Sequence, residues 1–494
     1  MKKTLLLFFI FICSVLPTFA QDDDDIIWNY HSDRFLESLK EGKNLYDKDL
    51  ERELDKSIKD GLSINLLPVD LKTCLQVALE NNYNIKISDN IKNQYKWLYR
   101  NAQAQLLPDF YYKYQIQFLR GEFLVGNILP DTISKNPIYS GISFEYPLIG
   151  NGAPLFDIAI GRKMYSAKKH NYQYTQSEIL LKTSLAYYDL LKAKLNIEVL
   201  LSNLRDRHEQ LKLMQARYHI GIGTKYDILR AEAQYADAKR ELLNALNDLR
   251  LKQAVLSNLM GVEVTLTLYP YEHGAKTREL VQKKYDIDCL YHLALEKRED
   301  VKAKRAEIQS LVLTKNKTYT DFAPNINLSY QFAKVGTTDN PSLRSNHTWS
   351  IVATIPLGKK MGVGTITKRN AEIAKLNQAR NELTNLERNI KETIVSSYYN
   401  SKTALEKVDA NKKQVAAADE GLKYSLVGFD VGQNTFIDVL TSQTEKTRAR
   451  QQLIFSIIEY NQAQIQMLFD TGTITQEGIL LNYKSMNKHI SLEQ

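Results

Sequence analysis

The chain has 494 residues, 25% of them Asp, Glu, Lys or Arg, and a formal charge of +8 at pH 7. Such a length exceeds one ordinary globular core. Acids and bases are mixed throughout, so no basic patch marks a nucleic-acid partner.

Residues 1–20 read as a secretory signal peptide. Lys2 and Lys3 precede the apolar run "LLLFFIFICSVL", and "TFA" supplies a small-residue cleavage site before Gln21. The residues ahead of Cys13 lack the small side chains of a lipid-attachment site, and past the leader only Cys74 and Cys289 remain, early in two helices. Both read as small buried hydrophobes, with no support for a disulfide. After Ala20 no run of about 18 apolar residues remains. Entry into a membrane would therefore require a β-barrel. Residues 21–67 form a charged extension with some helical periodicity and no functional reading.

Glycine and proline are absent from 69–107, 162–220, 224–260, 275–323, 365–420 and 435–471, runs rich in Leu, Ala, Lys, Glu, Gln and Asn. These are expected to be helices. The two longest would reach on the order of 80–90 Å, which implies coiled or barrel-like packing. The runs fall into two sets of three. "ALENNYNI" (78–85) pairs with "ALEKREDV" (294–301), "LPDFYYKYQIQF" (107–118) with "APNINLSYQF" (323–332), and "ISFEYPL" (142–148) with "IVATIPL" (351–357). A period of roughly 211–216 residues is too long for a solenoid unit and marks the duplication of a whole structural half. The expected repeats are 68–261 and 287–472, joined by a linker 262–286 and followed by a tail 473–494.

Within each half, two short segments alternate. Strands are expected at 109–118 and 139–148, then at 325–333 and 348–357. Phe110, Tyr112, Tyr114 and Ile116, and likewise Ile326, Leu328, Tyr330 and Phe332, face one way; lysine, glutamine, asparagine and serine dominate the other side. One alternative is a soluble sheet packed on helices. Against it, the lengths suit a bilayer crossing of about 9–11 residues, and the uncharged aromatic faces suit lipid, with a polar face toward a water-filled pore. The segments 119–138 and 336–346 read as external loops. Four strands cannot close a barrel, so other copies of the chain must complete it.

A second correspondence lies between each long helical run and the run that follows it. "YHIGIGTKYDIL" (218–229) matches "FDVGQNTFIDVL" (429–440), setting Gly221 on Gly432, Thr224 on Thr435 and Asp227 on Asp438. Thr-x-x-Asp before an apolar-periodic helix is a capping box, and an acid there also suits the positive helix end. Capping alone accounts for both aspartates; a ring of carboxylates filtering ions is the second reading.

In the order and duplication of these motifs, the chain resembles the TolC family of outer-membrane efflux proteins over about residues 70–472. The resemblance implies a mainly α fold with membrane β: a homotrimer in which each protomer gives four strands to a twelve-stranded barrel, continued by a long periplasmic helical barrel. It also implies an export duct held in outer-membrane lipid, opened by a periplasmic adaptor and powered by an inner-membrane pump. By the same resemblance, the adaptor would contact the turns Gly221, Ile222, Gly223, Thr224 and Gly432, Gln433, Asn434, Thr435, and Asp227 and Asp438 would line the entrance. A tyrosine and an arginine that latch some family members correspond to Phe429 and Asn434, and a second aspartate corresponds to Thr441. A polar latch at those positions is therefore in doubt.

Nothing in the sequence points to an enzyme. There is no HExxH, GxSxG, P-loop or strand-borne GxGxxG, and His208, His219 and His292 are isolated without metal-ligand spacing. No cofactor or metal is expected. The competing class is a secreted or periplasmic helical scaffold without a pore.

Overall fold

A computed structural model of the chain describes residues 66–116, 137–148, 150–272, 274–281, 286–337, 340–355 and 362–480. The leader 1–20, the charged extension up to residue 65 and the expected loop 119–136 lie outside the described residues.

The expected halves appear as two sets of matching elements. The first contains α1 (Leu71–Asn81), α2 (Tyr83–Ala104), β2 (Asp109–Ile116), β3 (Pro137–Pro147), α3 (Ala153–His219) and α4 (Lys225–Met260). The second contains α5 (Ile287–Lys297), α6 (Glu299–Lys317), β5 (Asn325–Thr337), β6 (Asn340–Thr354), α7 (Val363–Asp430) and α8 (Phe436–Asp470). Two further strands, β1 (Leu66–Val69) and β4 (Thr267–Pro270), pair in parallel outside both sets. Leu66 and Leu67, read from sequence as the end of the charged extension, are thus strand residues.

The first run, 69–107, was expected to be one helix, and it is two. Asn82 breaks it with an extended backbone (ψ 126), and Arg298 breaks the second copy with the same geometry (ψ 127). Neither glycine nor proline is needed, because each break has a tertiary cause. Asn82 caps α2 by accepting from the Asn84 amide at 2.8 Å and donates to the Leu259 carbonyl at 2.7 Å. Arg298 donates to the Asp470 carbonyl at 3.1 Å and grips Asp300 at 2.7 Å. The ends of α4 and α8 meet these breaks. Gly261 (φ 68) and Gly472 (φ 70) are left-handed caps, and a Cβ at either would lie 2.6 Å from the Asn81 carbonyl oxygen or 2.7 Å from the Arg298 nitrogen.

Helices α3 and α7 run for 67 and 68 residues, about 100 Å at 1.5 Å per residue. They exceed the expected length because Gly161, Gly421 and Gly428 sit inside them without ending them. No helix among the described residues is long and apolar enough to cross a membrane.

The sheet order is β2-β3-β5-β6, antiparallel throughout. Strands β5 and β6 continue to Thr337 and from Asn340, so most of the expected loop 336–346 is strand: the ladder persists past a bulge at Val335/Thr337. The register brings Phe110, Phe144, Tyr330 and Trp349 into one row across all four strands. Ring centroids are 5.1 Å apart for Phe110–Phe144 and 4.3 Å for Tyr330–Trp349. Rows on either side hold Tyr146, Leu328 and Ile351, and then Tyr112, Ile142, Phe332 and His347. The apolar band from Ile326 to Phe332 covers about 20 Å along the strand. Beyond it comes a polar row of Tyr114, Ser140, Lys334 and Ser345. The opposite face carries Tyr111, Ser143, Gln331 and Thr348, with Lys113, Asp109 and Glu145 nearby.

The mid-region is strapped. Buried Lys194 of α3 donates to the Pro270 and Glu272 carbonyls at 3.0 and 2.8 Å and lies over the Tyr269 ring; burial lowers its pKa. Residues 276–281 bond along α8: Asn461 accepts from the Arg278 amide at 2.8 Å, and Gln464 accepts from Leu280 and Val281 at 3.1 and 2.9 Å. Residues 276–281 of the expected linker are therefore strapped along α8. Cys74 is buried, which pushes its thiol up to about 12, whereas the equivalent Cys289 is exposed; both are free.

Gly261→Ala and Gly472→Ala should each lower stability by about 1–3 kcal/mol, because left-handed strain adds to the backbone clash. Thermal unfolding in detergent measures this, with Gly274→Ala, which meets open space, as the neutral control.

Candidate gating site at the helical turns

Each long helix runs from the sheet to a turn about 100 Å away, and the two turns share one backbone design. Ile222 and Gly223 amides both donate to the Arg217 carbonyl, at 3.0 and 3.1 Å; Gln433 and Asn434 amides both donate to the Gly428 carbonyl, at 2.8 and 3.0 Å. Gly221 (φ 80) and Gly432 (φ 78) occupy the left-handed position that lets the chain reverse.

Threonine and aspartate then start the return helices. Thr224 accepts from the Asp227 amide at 3.2 Å while its own amide and hydroxyl donate to the Asp227 carboxylate at 3.2 and 2.6 Å. Thr435 and Asp438 repeat this box, with amide and hydroxyl bonds of 2.8 and 2.7 Å to the carboxylate. The bond from the Thr435 hydroxyl, then that from its amide, holds the Asp438 carboxyl below its ordinary value. Asp438 is exposed and Asp227 half-buried.

Phe429, Asn434 and Thr441 make contacts beside the turns. Phe429 packs on Phe436 at 5.9 Å between ring centroids, under the Arg217 guanidinium at 4.4 Å. It joins a small core of Met214, Ala231, Phe436 and Leu440. The Asn434 amide donates to the Ser425 carbonyl at 3.3 Å and fills the space above Gly428, where a Cβ would meet its Cγ at 2.7 Å. Thr441 donates back to the Ile437 carbonyl at 2.9 Å. Phe429 thus packs across to α3 and α8, whereas Asn434 and Thr441 bond within their own hairpin. Four large apolar residues are exposed at the turns: Ile220, Ile222, Tyr226 and Val431 are 65–72% exposed.

Sequence reasoning missed the polar contacts between α3 and α8: Arg207 bonds Thr444, and Asp206, Gln443 and Lys446 line a groove of about 190 Å³. The spacing of Asp189, Asn196 and Asn203 at sevens on one helix was the available signal. Among the described residues no cluster of three or more His, Cys, Asp or Glu could hold a metal ion.

The outer membrane efflux protein family profile matches this chain twice, over residues 74–262 and 290–472. Similar proteins include the outer membrane efflux protein BepC of Brucella suis, 23% identical over 69% of this chain and 73% of that protein. The proteases secretion protein PrtF of Dickeya chrysanthemi is 20% identical over 77% and 83%. Among solved structures, the outer-membrane channel OprN superposes with a TM-score of 0.71 at 16% identity, covering 82% of this chain and 90% of that one. The CmeC outer membrane channel of Campylobacter jejuni gives 0.69 at 14%, covering 85% and 88%. With both halves of the chain matched and the long-helix, four-strand fold shared, this protein belongs to the TolC family of outer-membrane efflux proteins, which are channels and not enzymes.

Proposed function

We propose that three copies of the chain form a passive duct through the outer membrane and periplasm, opened at the helical turns by a periplasmic adaptor and powered by an inner-membrane pump. The observation that carries this reading is a two-faced sheet with open edges, joined to two helices of about 100 Å that end in equivalent turns. Four strands from each of three protomers make a twelve-stranded barrel with the aromatic rows toward lipid and the polar face toward water. The outward face begins with Phe110, Tyr112, Tyr114 and Ile116 on β2 and with Ile326, Leu328, Tyr330 and Phe332 on β5.

At the other end, the exposed apolar residues Ile220, Ile222, Tyr226 and Val431 offer a surface for adaptor helices at Gly221–Thr224 and Gly432–Thr435. Asp227 and Asp438 cap their helices and also place six carboxylates around the trimer axis, where they favour cations. One relative is named for efflux and another for protease secretion, and a duct without its own chemistry serves either class of cargo.

In planar bilayers, Asp227→Asn with Asp438→Asn should lower the cation-to-anion permeability ratio at least about threefold; an unchanged ratio leaves the aspartates as caps alone. Because the Asp438 carboxyl is held below its ordinary value, its charge, and the selectivity it gives, should persist on acidification until the pH falls below the usual carboxylate range. On the sheet, Trp349→Arg in the central aromatic row should cost about 2–4 kcal/mol in unfolding from lipid vesicles, whereas Thr348→Arg on the opposite face should cost much less. Equal costs would contradict the proposed orientation.

A further inference from the structure

The two helical hairpins face each other along α3 and α8, and side-chain hydrogen bonds recur along the contact. Gln462 donates to Asp189 at 2.7 Å, Gln451 to Asn196 at 2.9 Å and Thr447 to Asn203 at 3.1 Å. At the end nearest the turns the contacts concentrate. Arg207, 3% exposed, donates to the Thr444 hydroxyl at 2.8 Å and to the Leu440 carbonyl at 3.4 Å. Its neighbour Asp206 accepts from Gln443 and, at 3.4 Å, from Lys446. Two adjacent residues of α3 thus hold one turn and a half of α8. Below them the halves touch through the Met214–Phe436–Leu440 cluster and through Arg217 over Phe429.

Such a seam suits a contact that must release. Parting apolar helices exposes hydrocarbon with nothing to replace the lost contact. Parting polar ones lets water take over each bond, so the open form is not heavily penalised. A buried charged group still favours the closed form strongly while its partners are in place. Higher up, the strap binds α8 through Asn461 and Gln464 and α3 through Lys194, which fixes the two helices where the seam begins. The side-chain hydrogen bonds of Asn434 and Thr441 stay within the α7/α8 hairpin and do not reach α3.

We propose that the Asp206–Arg207 clasp on the Leu440–Lys446 turn of α8 is the latch of each protomer, so that the gate-holding contact lies up the helices and not at the turns. This deepens the duct reading and rests on it; Asp206, Arg207, Gln443, Thr444 and Lys446 are positioning residues that touch no cargo. The α7/α8 hairpin would swing from the strapped level as the clasp lets go.

Single-channel conductance of the purified trimer tests the clasp. Arg207→Gln and Asp206→Asn should raise resting conductance about fivefold or more, and Lys446→Met, which removes only the ion pair, should raise it less. Bridging Asn203→Cys to Thr447→Cys by oxidation, in a Cys289→Ser background, should suppress the rise in Arg207→Gln and restore it on reduction. Variants that remain trimeric and conduct like the parent overturn the clasp, as does opening by Arg217→Gln alone. Should the charge variants fail to trimerise, the bridge decides in the otherwise unaltered chain: opening by adaptor that persists with the bridge intact overturns the proposal. A parent that never conducts overturns the duct reading itself, which separates the two failures.

Discussion

Strands β2 and β6 each present a row of backbone amides and carbonyls that the four-stranded sheet leaves unpaired. In water those groups would be solvated; in hydrocarbon each costs several kcal/mol. The rest of the architecture follows from that constraint. A sheet with one aromatic and one polar face cannot rest in lipid while its edges are open, and the chain holds no further strand to close it among the described residues. In the proposed duct, copies of the same sheet supply the matching edges, and the alternation of aromatic and polar residues sets which way each strand enters the ring.

Duplication then carries the same logic down the helices. Each strand pair feeds one long helix, each long helix ends in the same turn, and each return helix ends in a left-handed glycine against a break in the opening helices of its repeat. In the middle the strap and the close approaches at Gly261 and Gly472 tie the helices together. Toward the turns the halves meet through side-chain hydrogen bonds and one small apolar cluster. Helices α3 and α7 continue without interruption, so the difference between the middle and the turns lies in the choice of side chains.

Much of this was legible from sequence because duplication repeats the signal. The pairing of Gly221 with Gly432 and of Thr-x-x-Asp with its copy located both turns and both capping boxes, and alternation in "FYYKYQI" and "NINLSYQF" fixed the faces of the strands. The features that escaped are those made by tertiary contact. Asn82 and Arg298 break helices without glycine or proline because distant carbonyls of α4 and α8 take their side chains. The linker reads as featureless, yet Asn461 and Gln464 hold its backbone. Strands β5 and β6 outrun their expected ends, since pairing sustains the ladder where local composition suggests a loop. Asp206 and Arg207 look like two more surface charges on a long helix until α8 is laid beside them.

The most direct test of the account is the mass of the oligomer extracted from outer membranes, measured by native mass spectrometry in detergent. Closure of open-edged sheets by identical copies predicts a complex of three chains that partitions with the outer-membrane fraction and stays out of the aqueous one. A water-soluble monomer with its edges intact would contradict it.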